Sequence, residues 1–223
     1  MSGPATGVPR DLAARFDVVD GVVRLGDTTF DVMRPRSAED LISEDDFARD
    51  ERLPYWADVW PSSIALGERL LQEHGAGCSL LELGCGVGVV ALAAARAGFD
   101  VTVSDYYDDA LAFARANLAR AGHDVVARHL DWRALPDDLP TYDVVVASDV
   151  LYERPYAELV AAVLDRALAP RGIALVADPG RLAAPAFVEA AQARGFRVDG
   201  SYVRPVPIGE IVQRIRIYTL QRR

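Results

Sequence analysis

Lysine is absent from this 223-residue chain, whose 24 basic residues are all arginine, so it offers no lysine of its own for modification. Cysteine is almost absent too: Cys78 and Cys85 are the only two, and Cys85 lies inside a glycine-rich turn. A structural disulfide is therefore not expected, and a reducing compartment is. The three histidines, His74, His123 and His129, show neither triad nor metal-ligand spacing, so no metal is expected. No run of about 18 apolar residues occurs, and no basic start leads into an apolar stretch, so neither membrane spanning nor export is expected. Positive charge is also scarce. A net charge of −9 and a pI near 4.8 argue against a phosphate backbone, and hence against nucleic acid, as partner. Together these absences describe a soluble cytoplasmic chain whose partner is a basic or neutral protein or a small molecule.

The composition that remains, 51% hydrophobic and 26% charged, suits one α/β domain with a modest extension. The Gly-, Pro- and Ala-rich start, Met1 to Arg10, reads as disordered. From Phe16 to Arg34, β-branched pairs interrupted by Asp20-Gly21 and Gly26-Asp27 predict a small β-meander. Glu39 to Glu51 reads as an acidic solvated connector. Residues 1–53 are thus an N-terminal segment and residues 54–223 the main domain.

After a predicted helix over Ser62 to Glu73, strands and helices alternate. Strands are predicted at 79–83, 100–104, 125–129, 142–147, 173–177, 197–202 and 212–220, and helices at 89–97, 108–121, 155–168 and 183–194. Such alternation gives a mostly parallel, Rossmann-like seven-stranded sheet covered by helices on both faces. No helix separates the last two strands, only Arg204 to Gly209, so the final strand should run antiparallel.

Leu80-Leu81-Glu82-Leu83-Gly84-Cys85-Gly86-Val87-Gly88 joins an apolar strand to three alternating glycines and a helix start. Glycines let a ligand approach the backbone closely, and the helix start offers unpaired N–H groups, so a nucleotide-like ligand is expected. The dinucleotide fingerprint needs its third glycine at position 89, where Val89 stands, so NAD is disfavoured.

The acidic-x-Gly-x-Gly-x-Gly pattern resembles the first motif of the class I methyltransferases, which implies S-adenosylmethionine as cofactor and Glu82, Gly84, Cys85, Gly86 and Gly88 as its loop. In open α/β sheets ligands sit beyond the carboxyl ends of the strands. Asp105, ending the second strand, is placed to accept ribose hydroxyls, with Tyr106 against the adenine. At the third strand end, Asp131 can accept the adenine amino hydrogens and Trp132 cover the ring. Ser148 ends the fourth. Asp149-Val150-Leu151-Tyr152 matches the Asp/Glu-x-x-Tyr/Phe signature of the seven-β-strand protein-lysine methyltransferases (family 16). Trp56, Trp60, Asp131-Trp132 and Asp178-Pro179-Gly180-Arg181 also look like that family. The last of these most resembles the branch acting on the β subunit of electron transfer flavoprotein.

The resemblance implies an amine acceptor. Asp149 would orient it by accepting N–H bonds and Tyr152 would wall it, while Trp56 and Trp60 would close the cofactor pocket. The rival readings are a small-molecule methyltransferase for an amine or hydroxyl, and a module that binds the cofactor without transfer. Connections too short to make an enclosing lid favour a protein acceptor. Oligomeric state and the number of methyl groups are not legible.

Overall fold

A computed structural model describes residues 7–38, 41 and 54–223. Of the predicted acidic connector, only Leu41 is among them, and residues 1–6 also lie outside. Arg10, assigned to a disordered start, instead opens helix α1 (Arg10–Arg15). Strands β1 (Val18–Leu25) and β2 (Thr28–Pro35) form a two-stranded antiparallel sheet. This is one hairpin rather than a meander. Asp20-Gly21 does not turn; it lies inside β1, paired with Met33 and Val32, and the chain reverses at Gly26, where φ is 60°.

After a short 3-10 helix at Tyr55–Ala57 the remaining elements are α2 (Pro61–Leu70), β3 (Ser79–Leu83), α3 (Val89–Arg96), β4 (Asp100–Asp105), α4 (Asp108–Arg120), β5 (Val126–His129), β6 (Tyr142–Ser148), α5 (Arg154–Ala167), β7 (Leu168–Asp178), α6 (Ala184–Ala193), β8 (Phe196–Ile208) and β9 (Ile211–Arg222). The seven-stranded sheet has the order β5-β4-β3-β6-β7-β9-β8. Strands β5 to β7 are parallel, while β9 runs antiparallel to both of its neighbours.

Alternation along the strands divides the core between the two faces. Leu80, Val146, Leu175 and Ala177 pack with α2, α3, α4 and the hairpin. Leu81, Leu83, Val145, Ala147 and Val176 pack with α5 and α6. In α5, buried Tyr156, Ala157, Val160, Ala161, Val163, Leu164 and Ala167 recur at helical spacing and supply one apolar face.

Two expected boundaries move. Arg204 to Gly209 is not a connector, because β8 continues to Ile208 with Pro205 opposite Arg214 and Pro207 opposite Val212. As the edge strand, β8 tolerates prolines that lack an N–H to share. Strand β7 starts where α5 ends, pairing Leu168 with Tyr142 before the register shifts and Ile173 meets Val144.

The sequence reading overlooked Asn117, which is fully buried on α4. Its Oδ1 accepts the Met33 N–H at 2.8 Å, and its Nδ2 donates to the carbonyls of Met33 at 2.9 Å and Val87 at 2.8 Å. One side chain thus ties the hairpin and the glycine turn to α4. Replacing Asn117 with Ala strands three buried backbone groups, each worth about 1–3 kcal/mol when unpaired. Urea denaturation should therefore show a loss of roughly 3 kcal/mol or more. An unchanged midpoint would remove this role.

Candidate active site at the carboxyl edge of the sheet

Strand β3 sends its chain toward β4 on one side while β6 flanks it on the other, so the order of connection reverses at β3. A cleft of about 940 Å³ opens beyond these strand ends. Its floor is the glycine turn, with left-handed backbone at Gly84 (φ 65°), Gly86 (50°) and Gly88 (87°). A Cβ on Gly86 would lie 2.8 Å from the Trp56 carbonyl oxygen, and one on Gly88 would lie 3.0 Å from Ala114 Cα on α4. Gly84, Cys85 and Gly86 line the cleft. Gly88 is not among the lining residues; it stands at the N-cap of α3, where its missing side chain lets α4 pack closely.

Glu82 also stands off the cleft wall. It is buried beneath the turn, accepts the backbone N–H of Ala91 in the first turn of α3, and leaves Oε2 without a partner. Burial pushes its carboxyl well up. Cys85 is a free, buried thiol pushed well up by burial and by the neighbouring Asp105 and Glu82, which disfavours the reactive thiolate.

Asp105 joins two strand ends. Its Oδ2 accepts the Gly86 N–H at 3.0 Å and its Oδ1 the Tyr107 N–H at 3.0 Å. The carboxyl is buried and its pKa is raised by desolvation, against the lowering effect of these amides. Tyr107, not Asp108, occupies the N-cap position of α4, with no side-chain cap of its own. Tyr106 and Asp131-Trp132 line the cleft beyond the ends of β4 and β5. The Arg133 guanidinium lies 5.6 Å from the Tyr106 ring, and Asp131 Oδ1 accepts both Arg133 N–H at 2.9 Å and Nε–H at 3.1 Å.

Beyond the end of β6 stands Asp149, which follows Ser148 and carries φ 58°, a conformation rare outside glycine. Strain of this kind clusters at functional positions. Its buried carboxylate accepts Arg181 Nε–H at 2.8 Å and Ser62 Oγ–H at 3.3 Å. Trp60, Tyr55, Tyr152, Tyr156 and Trp132 form a chain of ring contacts with successive centroid separations of 5.9, 5.5, 4.8 and 5.7 Å. They wall the cleft from Asp149 to Asp131. Trp56 lines the cleft but also packs on Phe16 and Phe113 in the core.

The cleft therefore gathers Trp56, Trp60, Gly84, Cys85, Gly86, Asp105, Tyr106, Asp131, Trp132, Ser148, Asp149 and Tyr152. Tyr55, Tyr156 and Arg133 were missed. Tyr55 adjoins Trp56 and Arg133 adjoins Trp132, so proximity to a recognised motif was the available signal. No group of three or more metal-ligating side chains occurs among the described residues.

The donor set fits S-adenosylmethionine: a glycine floor admitting close approach, a carboxylate at the second strand end, and an aromatic wall with Asp131 at the third. Fold and site define a class I S-adenosylmethionine-dependent methyltransferase. Magnesium protoporphyrin IX methyltransferase from Synechocystis PCC 6803, solved with bound SAM, shares this fold at a TM-score of 0.58 and 18% identity, over 72% of this chain and 78% of that one.

Within that class, the chain belongs to the family described as lysine methyltransferase, whose model matches residues 49–190. Protein N-lysine methyltransferase METTL21A of Xenopus tropicalis is 33% identical over 48% of this chain and 54% of its own length. The electron transfer flavoprotein beta subunit lysine methyltransferase of Danio rerio is 29% identical over 57% of this chain and 51% of its own. The chain thus spans about half the length of these curated relatives.

Asp105→Asn must turn an amide N–H toward the N–H of either Gly86 or Tyr107. Calorimetry should show S-adenosylhomocysteine binding weakened about tenfold or more, since charge-assisted bonds of about 1.5–3 kcal/mol are lost. Undiminished affinity would exclude Asp105 from the site.

The raised carboxyl of Glu82 generates a pH test. A group whose folded pKa lies above its unfolded value contributes stability that is fully present below the unfolded value and lost as pH rises through the folded one. Glu82→Gln carries no charge at any pH, so its melting temperature relative to the parent should climb as pH rises above about 4.3, the ordinary glutamate value. A constant offset across the pH range would show that Glu82 titrates alike in both states.

Proposed function

We propose that the chain is an N-methyltransferase that transfers the methyl group of S-adenosylmethionine to lysine side chains of a protein substrate. The reading rests chiefly on one arrangement: the buried Asp149 carboxylate lines the cleft beyond the end of β6 with Trp60, Tyr55 and Tyr152, while Tyr106 and Asp131-Trp132 line it beyond the ends of β4 and β5, across β3 in the sheet. Membership of the lysine methyltransferase family supports it.

When bound, S-adenosylmethionine supplies a methyl already activated by the positive sulfonium. The protein's part is then to bind, orient and desolvate. Asp105 holds the ribose hydroxyls, Tyr106, Asp131 and Trp132 hold the adenine, and Gly84 to Gly86 with Trp56, Trp60 and Ser148 enclose the remainder. At the acceptor end, Asp149 accepts an N–H of the amine and turns its lone pair toward the methyl. Tyr152, about 37% exposed, and Tyr55, about 41% exposed, present ring faces that favour the cationic product and still leave the entrance open to a protein side chain.

In this reading residues 54–223 are the methyltransferase domain and residues 1–53 an N-terminal extension, and the protein works in the cytoplasm. Among the described residues, no helix is long and apolar enough to cross a membrane. The names of several relatives make the β subunit of electron transfer flavoprotein the first acceptor to test.

Radiolabelled cofactor incubated with host lysate should label a protease-sensitive, high-mass fraction, with mass spectrometry placing the added mass on lysine. Label confined to a protease-resistant, low-mass fraction would favour a small amine or hydroxyl acceptor instead. Asp149→Asn keeps the side-chain shape and tolerates positive φ, as Ala does not. It should leave cofactor affinity within about tenfold yet reduce turnover by roughly 10²-fold through lost orientation. Undiminished turnover would remove the proposed role of this carboxylate.

A further inference from the structure

A carboxylate standing alone beside an amine opposes methyl transfer. Opposite charge stabilises the protonated amine and raises its pKa, already near 10.4 for lysine, whereas only the neutral amine has a lone pair with which to attack. At Asp149 that charge is already matched. Arg181 Nε–H donates to Oδ1 at 2.8 Å while Ser62 Oγ–H donates to Oδ2.

The protein invests in placing this arginine. Buried Asp178, at the end of β7, accepts the backbone N–H of Gly180 at 2.7 Å and of Arg181 at 2.9 Å. Gly180 makes the turn with φ 98°, and the guanidinium carbon lies 5.8 Å from the Trp60 ring. The Arg181 side chain is 36% exposed against 5% for that of Asp149, so the cation stands on the solvent side of the carboxylate.

The other charges nearby are Asp58 and Asp178. Asp58, at the cleft mouth, lies 3.9 Å from Arg34. Buried Asp178 faces both members of the pair: burial, the largest influence, and the Asp149 carboxylate raise its pKa and so disfavour its charged form, while the Gly180 and Arg181 amides and the Arg181 guanidinium lower it. Arg216 and Tyr218 of β9 also lie near it. From α2 come Ser62 and the neutral Trp60 at its N-cap, and from the α5 side the phenols of Tyr152 and Tyr156.

We propose that Arg181 is a positioning residue that makes its pair with Asp149 electrically neutral, so that the carboxylate orients the acceptor amine without holding it protonated. This rests on the lysine-methyltransferase reading above. The ammonium releases one proton to water on entering. The amine lone pair then forms the N–C bond as the C–S bond breaks and its electron pair returns to sulfur, leaving a neutral thioether and a methylammonium that carries the positive charge.

Arg181→Met removes the charge at similar length. With recombinant β subunit of electron transfer flavoprotein as acceptor, the midpoint of the kcat–pH profile should move alkaline by about one unit, while acceptor KM near neutral pH stays level or falls. Arg181→Lys should stay near the parent, and Arg181→Met combined with Asp149→Asn should bring the midpoint back. Independently of turnover, n-butylammonium can be titrated into the S-adenosylhomocysteine-loaded protein in buffers of different ionisation enthalpy, at a pH about two units below the free amine's pKa. Binding should release protons from the parent and fewer from Arg181→Met.

A fall in kcat at every pH with an unmoved midpoint and equal proton release would overturn the proposal in favour of a merely structural arginine. A rise in kcat/KM near neutral pH would overturn it in favour of an arginine that occupies the amine's place. Lysine methylation by a parent that does not bind n-butylammonium would refute the inference alone. Absence of both lysine methylation and n-butylammonium binding would remove the functional reading and the inference with it.

Discussion

The cleft depends on two hydrogen bonds accepted by one carboxylate. Asp105 ends β4 and holds the amide of Gly86 after β3 and that of Tyr107 before α4, so two neighbouring strand ends are locked to each other through one side chain. Without it, the glycine turn would keep Cys85 N–H to Ser104 O at 3.0 Å, Gly88 N–H to Cys85 O at 2.9 Å and the Asn117 bond to the Val87 carbonyl. Desolvating such a group is unfavourable, and the amides offset that cost by favouring the ionised form. Each carboxylate oxygen still has lone-pair capacity after one backbone bond. The same atoms can therefore shape the floor of the cleft and receive hydroxyls from above.

Four buried acidic side chains lie at the carboxyl edge of the sheet, and their partners separate their roles. Glu82 is turned under the glycine loop toward the first turn of α3, where a carboxylate suits the helix dipole. Asp105 is bound by amides of two loops. Asp178 spends one oxygen on the Gly180-Arg181 turn and leaves Oδ2 unpaired, with its pKa raised chiefly by burial. Asp149 faces the cleft and is matched by a guanidinium and a hydroxyl. Chemically alike groups thus come to cap a helix, bind a loop, position a residue or face the cleft. Distance to an N–H or a cation decides among these.

Much of this was legible in the sequence because the signals were local and periodic. The apolar strand of Leu80 to Leu83, its three glycines and the helix behind them occupy one continuous stretch, and the seven strands of the main sheet were each anticipated. What sequence did not reveal required knowing which segments meet. Asn117 reads as an ordinary polar residue in a helix until Met33 and Val87 arrive on either side of it. The pairing of Arg181 with Asp149 spans 32 positions and exists because β6 and β7 are neighbours. The N-terminal meander failed for a different reason. Asp20-Gly21 is a turn pair by composition, yet β1 has a partner along its whole length, and eight paired positions outweigh one local preference.

The absence of lysine bears on the chemistry as well as on composition. Here all 24 Lys+Arg positions are arginine, whose guanidinium stays protonated across the working range and has no free lone pair to offer an activated methyl. Arginine can therefore stand beside Asp149 with a charge that does not change over the working pH range. A cation needed for its charge alone is safest when it is one that the reaction cannot consume.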